Sequence, residues 1–125
     1  MLRGKVAMAT VAVLDLPAAR KFYEEKLGLE VAETEGDEAV SYKSGETGLL
    51  VYQSSYAGAN KATAVTWMVG KELERIVASL KERGISFKHY DLPGMTQEGD
   101  LHVGGGMKVA WFTDPDGNIH SLVNG

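Results

Sequence analysis

Residues 11–30 read "VAVLDLPAARKFYEEKLGLE", and the order of signals in that run decides the fold. Val6 to Val13 is rich in β-branched and small residues and predicts a strand. Asp15 is placed to cap a helix, with Pro17 in its first turn. Ala19, Phe22, Tyr23 and Leu27 share one helical face, and Gly28 supplies the stop. Three strand-like runs follow, Val31 to Thr34, Ala39 to Lys43 and Gly48 to Ser54, separated by Gly36 and by Gly45 to Gly48. The order is strand, helix, three strands.

The second half repeats it. Thr63 to Val69 reads as a strand, and Leu73, Ile76, Val77 and Leu80 form a helical stripe ended by Gly84. Ser86 to Tyr90, Lys108 to Thr113 and Ile119 to Val123 supply three more strands, the last one introduced by the turn "DPDG" at 114–117. Val13 and Val69, Gly28 and Gly84, and Leu29 and Ile85 are all 56 positions apart. The expected fold is therefore α+β, with two tandem βαβββ units, about 5–56 and 62–125, that form a curled mixed sheet with a ligand cleft. Neither unit alone buries a sizeable core, so a single domain over 1–125 is expected.

Composition narrows the function. Apolar residues make up 44% and charged residues 24%, values typical of a globular chain. The net charge of -4 argues against nucleic acid and tilts a cleft toward neutral or cationic ligands. With no cysteine there is no disulfide, thiolate metal site or cysteine nucleophile. The N-terminus has neither a signal-peptide pattern nor a helix-length apolar span, so no membrane is expected and the cytoplasm is the expected location.

With "FYEEKLGL" after its first strand and "WFTDPDGN" before its last, the chain resembles the vicinal oxygen chelate superfamily across almost its whole length. That group includes glyoxalase I, extradiol dioxygenases, fosfomycin-modifying enzymes and bleomycin-resistance proteins. The phrases "LLVYQSSYAGANKAT", "RGISFKHYDLPG" and "AWFTDPDGNIHSLVN" are similar to a bacterial glyoxalase/bleomycin-resistance-like branch. One fold here serves many chemistries, so the function must come from the site.

The resemblance implies that metal-dependent members place His, Gln or Glu on the first and fifth strands and Glu on the eighth. A divalent ion in an open site needs three or four N or O donors converging on it. Carried over, these places are Met8, fourteen residues before Phe22; Ala64, or Val65 after a one-residue slip; and Ser121, four residues after Gly117. The fourth-strand place is expected at Tyr52. Met, Ala or Val, and Ser are not a ligand set for a hard or borderline dication, so neither metal nor cofactor is expected.

The other chemistry is thin. His120 neighbours Ser121 and by alternation points to the helix-covered side. His102, read as lying in a Gly-rich loop, is a candidate pH-sensitive contact or acid/base. "HVGGGMK" is no phosphate loop, because a strand rather than a helix follows it. Strand parity puts Met8, Thr10, Thr66 and Met68 on open faces, joined by Trp111, Tyr52 and Ser121. Tyr56 anchors the connection between the halves, and 92–107 reads as a long loop of the kind used as a lid.

The expected function is metal-independent binding of a small, partly apolar or aromatic organic molecule in a cleft between the units, on the model of bleomycin-resistance proteins. Its ligand-binding residues would be Met8, Thr10, Tyr52, Tyr56, Thr66, Met68, His102, Trp111 and Ser121. Because bleomycin-resistance proteins act as dimers, the resemblance also implies a homodimer. The alternative is an enzyme, a glyoxalase-like lyase or dioxygenase with a non-standard site, or a metal-free isomerase using His102 or Tyr52.

Overall fold

In the computed structural model, which describes residues 1–125, the Asp15 carboxylate accepts the Ala18 backbone N–H at 3.2 Å and so caps the first helix. That helix, α1, runs Leu16–Arg20 and continues as a wider π-helical turn over Lys21–Lys26. The Leu27 N–H reaches back five residues to the Phe22 carbonyl at 3.0 Å. Leu16, Ala19, Phe22 and Tyr23 are buried by it.

Four strands complete the first unit, Met1–Asn60. They are β1 Ala9–Val13, β2 Glu30–Glu35, β3 Ala39–Ser44 and β4 Thr47–Gln53, in the sheet order β1-β4-β3-β2. β1 lies parallel to β4, which fits a helical crossover, and the others are antiparallel hairpins. Val11, Val13, Val40, Tyr42, Leu49 and Val51 fill the buried face. Each side chain of that size contributes roughly 1.5–3 kcal/mol on burial. The Tyr42 hydroxyl, inside this core, donates to Glu24 at 2.9 Å, and Arg20 Nε donates to the same oxygen at 2.6 Å. The Arg20 hydrogen bond holds the Glu24 carboxyl below its ordinary value, while burial pushes the Tyr42 hydroxyl well up.

The second unit, Lys61–Gly125, repeats the plan with additions. β5 Thr63–Met68 leads through a 3₁₀ turn into α2, Leu73–Glu82. β6 Phe87–Lys88, β7 Thr96–Glu98, β8 Leu101–Gly104, β9 Met107–Thr113 and β10 Ile119–Val123 follow. The order is β5-β10-β9-β8-β7, with β6 also paired to β9. β5 runs parallel to β10, as β1 does to β4.

The "DPDG" turn is built on buried Asp114. Its Oδ1 accepts the Asp116 and Asn118 N–H groups at 3.0 and 2.8 Å, and its Oδ2 accepts Asn118 Nδ2 at 2.8 Å. This network fixes where β10 begins.

Three boundaries differ from the sequence expectation. The first strand starts at Ala9 rather than Val6, and Val6 is exposed. The expected strand Ser86 to Tyr90 shrinks to two residues, because only Phe87 and Lys88 find partners on β9. The segment 92–107 is not a plain loop, since most of it is the β7–β8 hairpin extending the sheet. Its polar, glycine-rich residues carry no alternating apolar signal. Asp100, at the hairpin turn, ties it down by an ion pair to Lys81 at 2.7 Å and a hydrogen bond with His89 at 2.8 Å, which together hold its carboxyl below the ordinary range. Gly105 and Gly106, both with positive φ, form the two-residue turn into β9.

Candidate functional site

Each sheet has one face covered by its helix and one left open. In the first unit the open face carries two cross-strand rows. Thr10, Leu50, Ser41 and Glu33 form one, and Ala12, Tyr52, Ala39 and Glu35 form the other. Two hollows sit on these rows. The larger, about 350 Å³, is lined by Thr10, Glu35, Glu38, Leu50, Tyr52 and Gln53 together with Ala39. The smaller, about 200 Å³, runs toward Met8, Glu33 and Ser41 and shares Glu35, Ala39 and Leu50 with the first. The larger one alone reaches the lower end of the size range of small-ligand sites, with mixed walls.

Thr10 and Tyr52 therefore line the larger hollow, and Met8 lines the smaller one beside it. Tyr56 does not join them, being 84% exposed in the connection after β4.

Strand parity misplaces the acidic wall. Val31 pairs with core residue Tyr42, and simple alternation would send Glu33 and Glu35 to that same covered side. A bulge at Ala32 adds one residue, so Glu33 pairs with Ser41 and Glu35 with Ala39 on the open face. No signal in the sequence marks that bulge.

In the second unit the open face carries Thr63, Thr66, Trp111 and Ser121, again set by a bulge, here at Ala64. The Ser121 and Thr66 hydroxyl oxygens lie 2.8 Å apart, and Trp111 Nε1 donates to Thr63 Oγ1 at 3.2 Å. Met68 is exposed at the end of β5. His120 lies on the covered side, fully buried, with its ring against Trp67 and Phe112. Burial brings it down to about 4, against a smaller upward pull from Asp114.

His102 is not a loop residue available to a ligand. It lies in β8 and is 1% exposed. Its Nε2 accepts the Tyr90 N–H at 2.9 Å, and its Nδ1 faces the Val109 carbonyl at 3.3 Å. That pattern fixes a neutral ring with its proton on Nδ1, wedged beside Trp111 and Tyr90. Both nitrogens are committed to backbone, so the ring pins the hairpin instead of serving as an acid or base.

The family's metal places do not fit a metal. Thr10 pairs with Leu50 as Thr66, its repeat counterpart, pairs with Ser121. The fourth-strand equivalent of Ser121 is thus Leu50 and not Tyr52. The four places then hold Met8, Leu50, Ala64 and Ser121, and the Ser121 hydroxyl is already engaged by Thr66. No group of three or more His, Asp or Glu side chains is arranged to hold a metal ion. No helix is long and apolar enough to cross a membrane.

The fold is shared with solved structures. The chain is similar to a glyoxalase family protein from Enterococcus faecalis at 21% identity and TM-score 0.73, covering 98% of this chain and 99% of that one. A lactoylglutathione lyase from Agrobacterium tumefaciens matches at 19% identity and TM-score 0.71, with 98% and 95% covered. An integron cassette protein from the mobile metagenome of a Halifax Harbour sewage outfall matches at 18% and 0.71, with 96% and 97% covered. At these identities the likeness is one of fold. No curated protein matches the chain in sequence. The family model for the glyoxalase/bleomycin resistance protein/dioxygenase superfamily matches residues 5–121. Two βαβββ units, a bulge-set open face on each and a match of that length lead to one conclusion: this chain belongs to the glyoxalase/bleomycin resistance protein/dioxygenase superfamily.

Proposed function

We propose that this chain binds a small, partly apolar organic molecule without a metal, on the open face of its first unit, and acts by holding that molecule. The observation that carries the reading is a contrast on one face. Leu50 stands where a metal-binding side chain would be needed, yet it forms the shared floor of two hollows. A sequestering protein needs shape and pre-organisation rather than a nucleophile. The open-face residues of the second unit, Thr66, Met68, Trp111 and Ser121, form a second proposed ligand-contacting set, on that unit's own sheet. A homodimer in the cytoplasm completes the proposal, on the model of bleomycin-resistance proteins.

A thermal-shift screen of small aromatic compounds in the presence of chelator tests it. The expected result is stabilisation by at least one compound that is lost in Thr10→Phe, which fills the larger hollow from an exposed position. Stabilisation by divalent metals alone would instead favour a glyoxalase-like lyase or dioxygenase with a non-standard site.

A further inference from the structure

We infer that the hollow on the first unit selects organic cations: amines with an apolar body, charged at neutral pH. The inference rests on the binding reading above and names its ligand class. Two neighbouring hollows share Glu35, Ala39 and Leu50 in their walls. Met8, Leu50, Ala39 and the ring of Tyr52 supply apolar area, and Glu33, Glu35 and Glu38 supply the charge.

No cation lines either hollow. Ion pairs at Arg20–Glu24, Arg75–Glu72, Lys81–Asp100 and Lys108–Glu74 involve none of these three carboxylates. Lys43, the basic residue on the same face of β3, sits opposite Glu30 across the strand pair and lines neither hollow. Two carboxylates line each hollow, Glu35 being common to both, and with no compensating charge in either wall they give this face a negative potential.

The bulge at Ala32 is what brings two of them there; without it Glu33 and Glu35 would point to the covered side. Glu35 lines both hollows and is the residue best placed to meet an ammonium group. An anion or a carboxylate-bearing ligand would meet repulsion at the same point. The Tyr52 ring and Leu50 give an aliphatic or aromatic body a surface that a hydrated metal ion would not use.

A matched set of probes tests the inference: 2-(2-naphthyl)ethylamine, the corresponding alcohol 2-(2-naphthyl)ethanol, and 3-(2-naphthyl)propionate. Affinities are measured by calorimetry at pH 7 and low salt, for the wild type and for Glu33→Gln/Glu35→Gln. Both substitutions are at exposed positions, and a thermal melt checks that the variant is folded. The amine is expected to bind about tenfold more tightly than the alcohol, with the propionate weakest, the size expected when several partly solvated carboxylates each contribute a little. The double variant should reduce the amine preference to about threefold or less while leaving alcohol binding in place, and added salt should act in the same direction.

Equal binding of amine and alcohol, or a preference that survives the double variant, overturns the ligand class but leaves metal-free binding standing. Displacement of the amine by millimolar Ca²⁺ without competition from the alcohol overturns it in favour of a divalent cation. Failure of all three probes to bind, together with no effect of Thr10→Phe in the aromatic screen, removes both the ligand class and the binding reading beneath it.

Discussion

The hydroxyls of Ser121 and Thr66 lie 2.8 Å apart on neighbouring parallel strands, at the place where metal-dependent relatives would be expected to carry a carboxylate. This bond occupies the position, one hydroxyl donating to the other across the strand pair. Ser121→Ala is therefore expected to lower stability by about 1 kcal/mol, because Thr66 is exposed and can rehydrate. Chemical denaturation reads the loss. A cost near zero would mean that the pair is incidental.

His120 predicts an acid-sensitive fold. Its ring is buried and sits at about 4 in the folded chain, below the ordinary 6.5. Between those values the unfolded chain takes up a proton that the folded chain refuses. Stability is thus full above about 6.5 and falls as the pH drops toward 4. At pH 5 the loss is about 2 kcal/mol. Glu24 and Asp100, whose carboxyls are depressed by their partners, add losses only at lower pH. Urea midpoints at pH 7.5 and 5.0 should differ in the wild type and converge in His120→Gln.

Gly104 carries a packing constraint. A Cβ there would lie 2.5 Å from the Gly94 carbonyl oxygen and 3.3 Å from Met95 Cγ. Backbone cannot move aside cheaply, so Gly104→Ala should cost about 1–3 kcal/mol. The effect should appear first as faster amide exchange over residues 92–101, where the hairpin lifts from its neighbours. Uniform destabilisation with unchanged local exchange would count against this placement.

Trp111 and Trp67 report on opposite faces of the second unit. Trp67 stacks on core residue Phe112, whereas Trp111 is half-buried on the open side and bonded to Thr63. If ligand reaches that open face, tryptophan emission changes, and Trp111→Phe removes most of the change. A signal preserved in the variant would assign it to Trp67 and contradict the ligand-contacting set.

The repeat, both helices and the closing strand were legible because their signals are local: Gly28 and Gly84 end helices, and Asp114 to Gly117 forms a turn. Strand parity also placed His120 on the covered side and Ser121 on the open one. What sequence could not reveal came from the bulges at Ala32 and Ala64. Each inverts alternation and leaves no mark in residue type, so the acidic wall of Glu33 and Glu35 went unseen. The hairpin at Thr96–Gly104 was hidden for a related reason, since its polar and glycine residues look like loop. The burial of His102 against neighbouring backbone cannot be inferred from "LHVGGG" alone. Tyr52 stood in for Leu50 because loop lengths differ between the units, and only the pairing of Thr10 with Leu50 resolves the equivalence.

Metal content tests directly whether this chain binds without a metal. The protein is purified without chelator, its bound metal is measured, and its thermal unfolding is followed with EDTA and with Zn²⁺, Ni²⁺, Mn²⁺ or Fe²⁺ added. With Met8, Leu50, Ala64 and Ser121 at the four places, far less than one metal per chain and a melting temperature indifferent to EDTA are expected. One equivalent of any of these metals, with a large stabilisation that EDTA abolishes, would contradict metal-free binding.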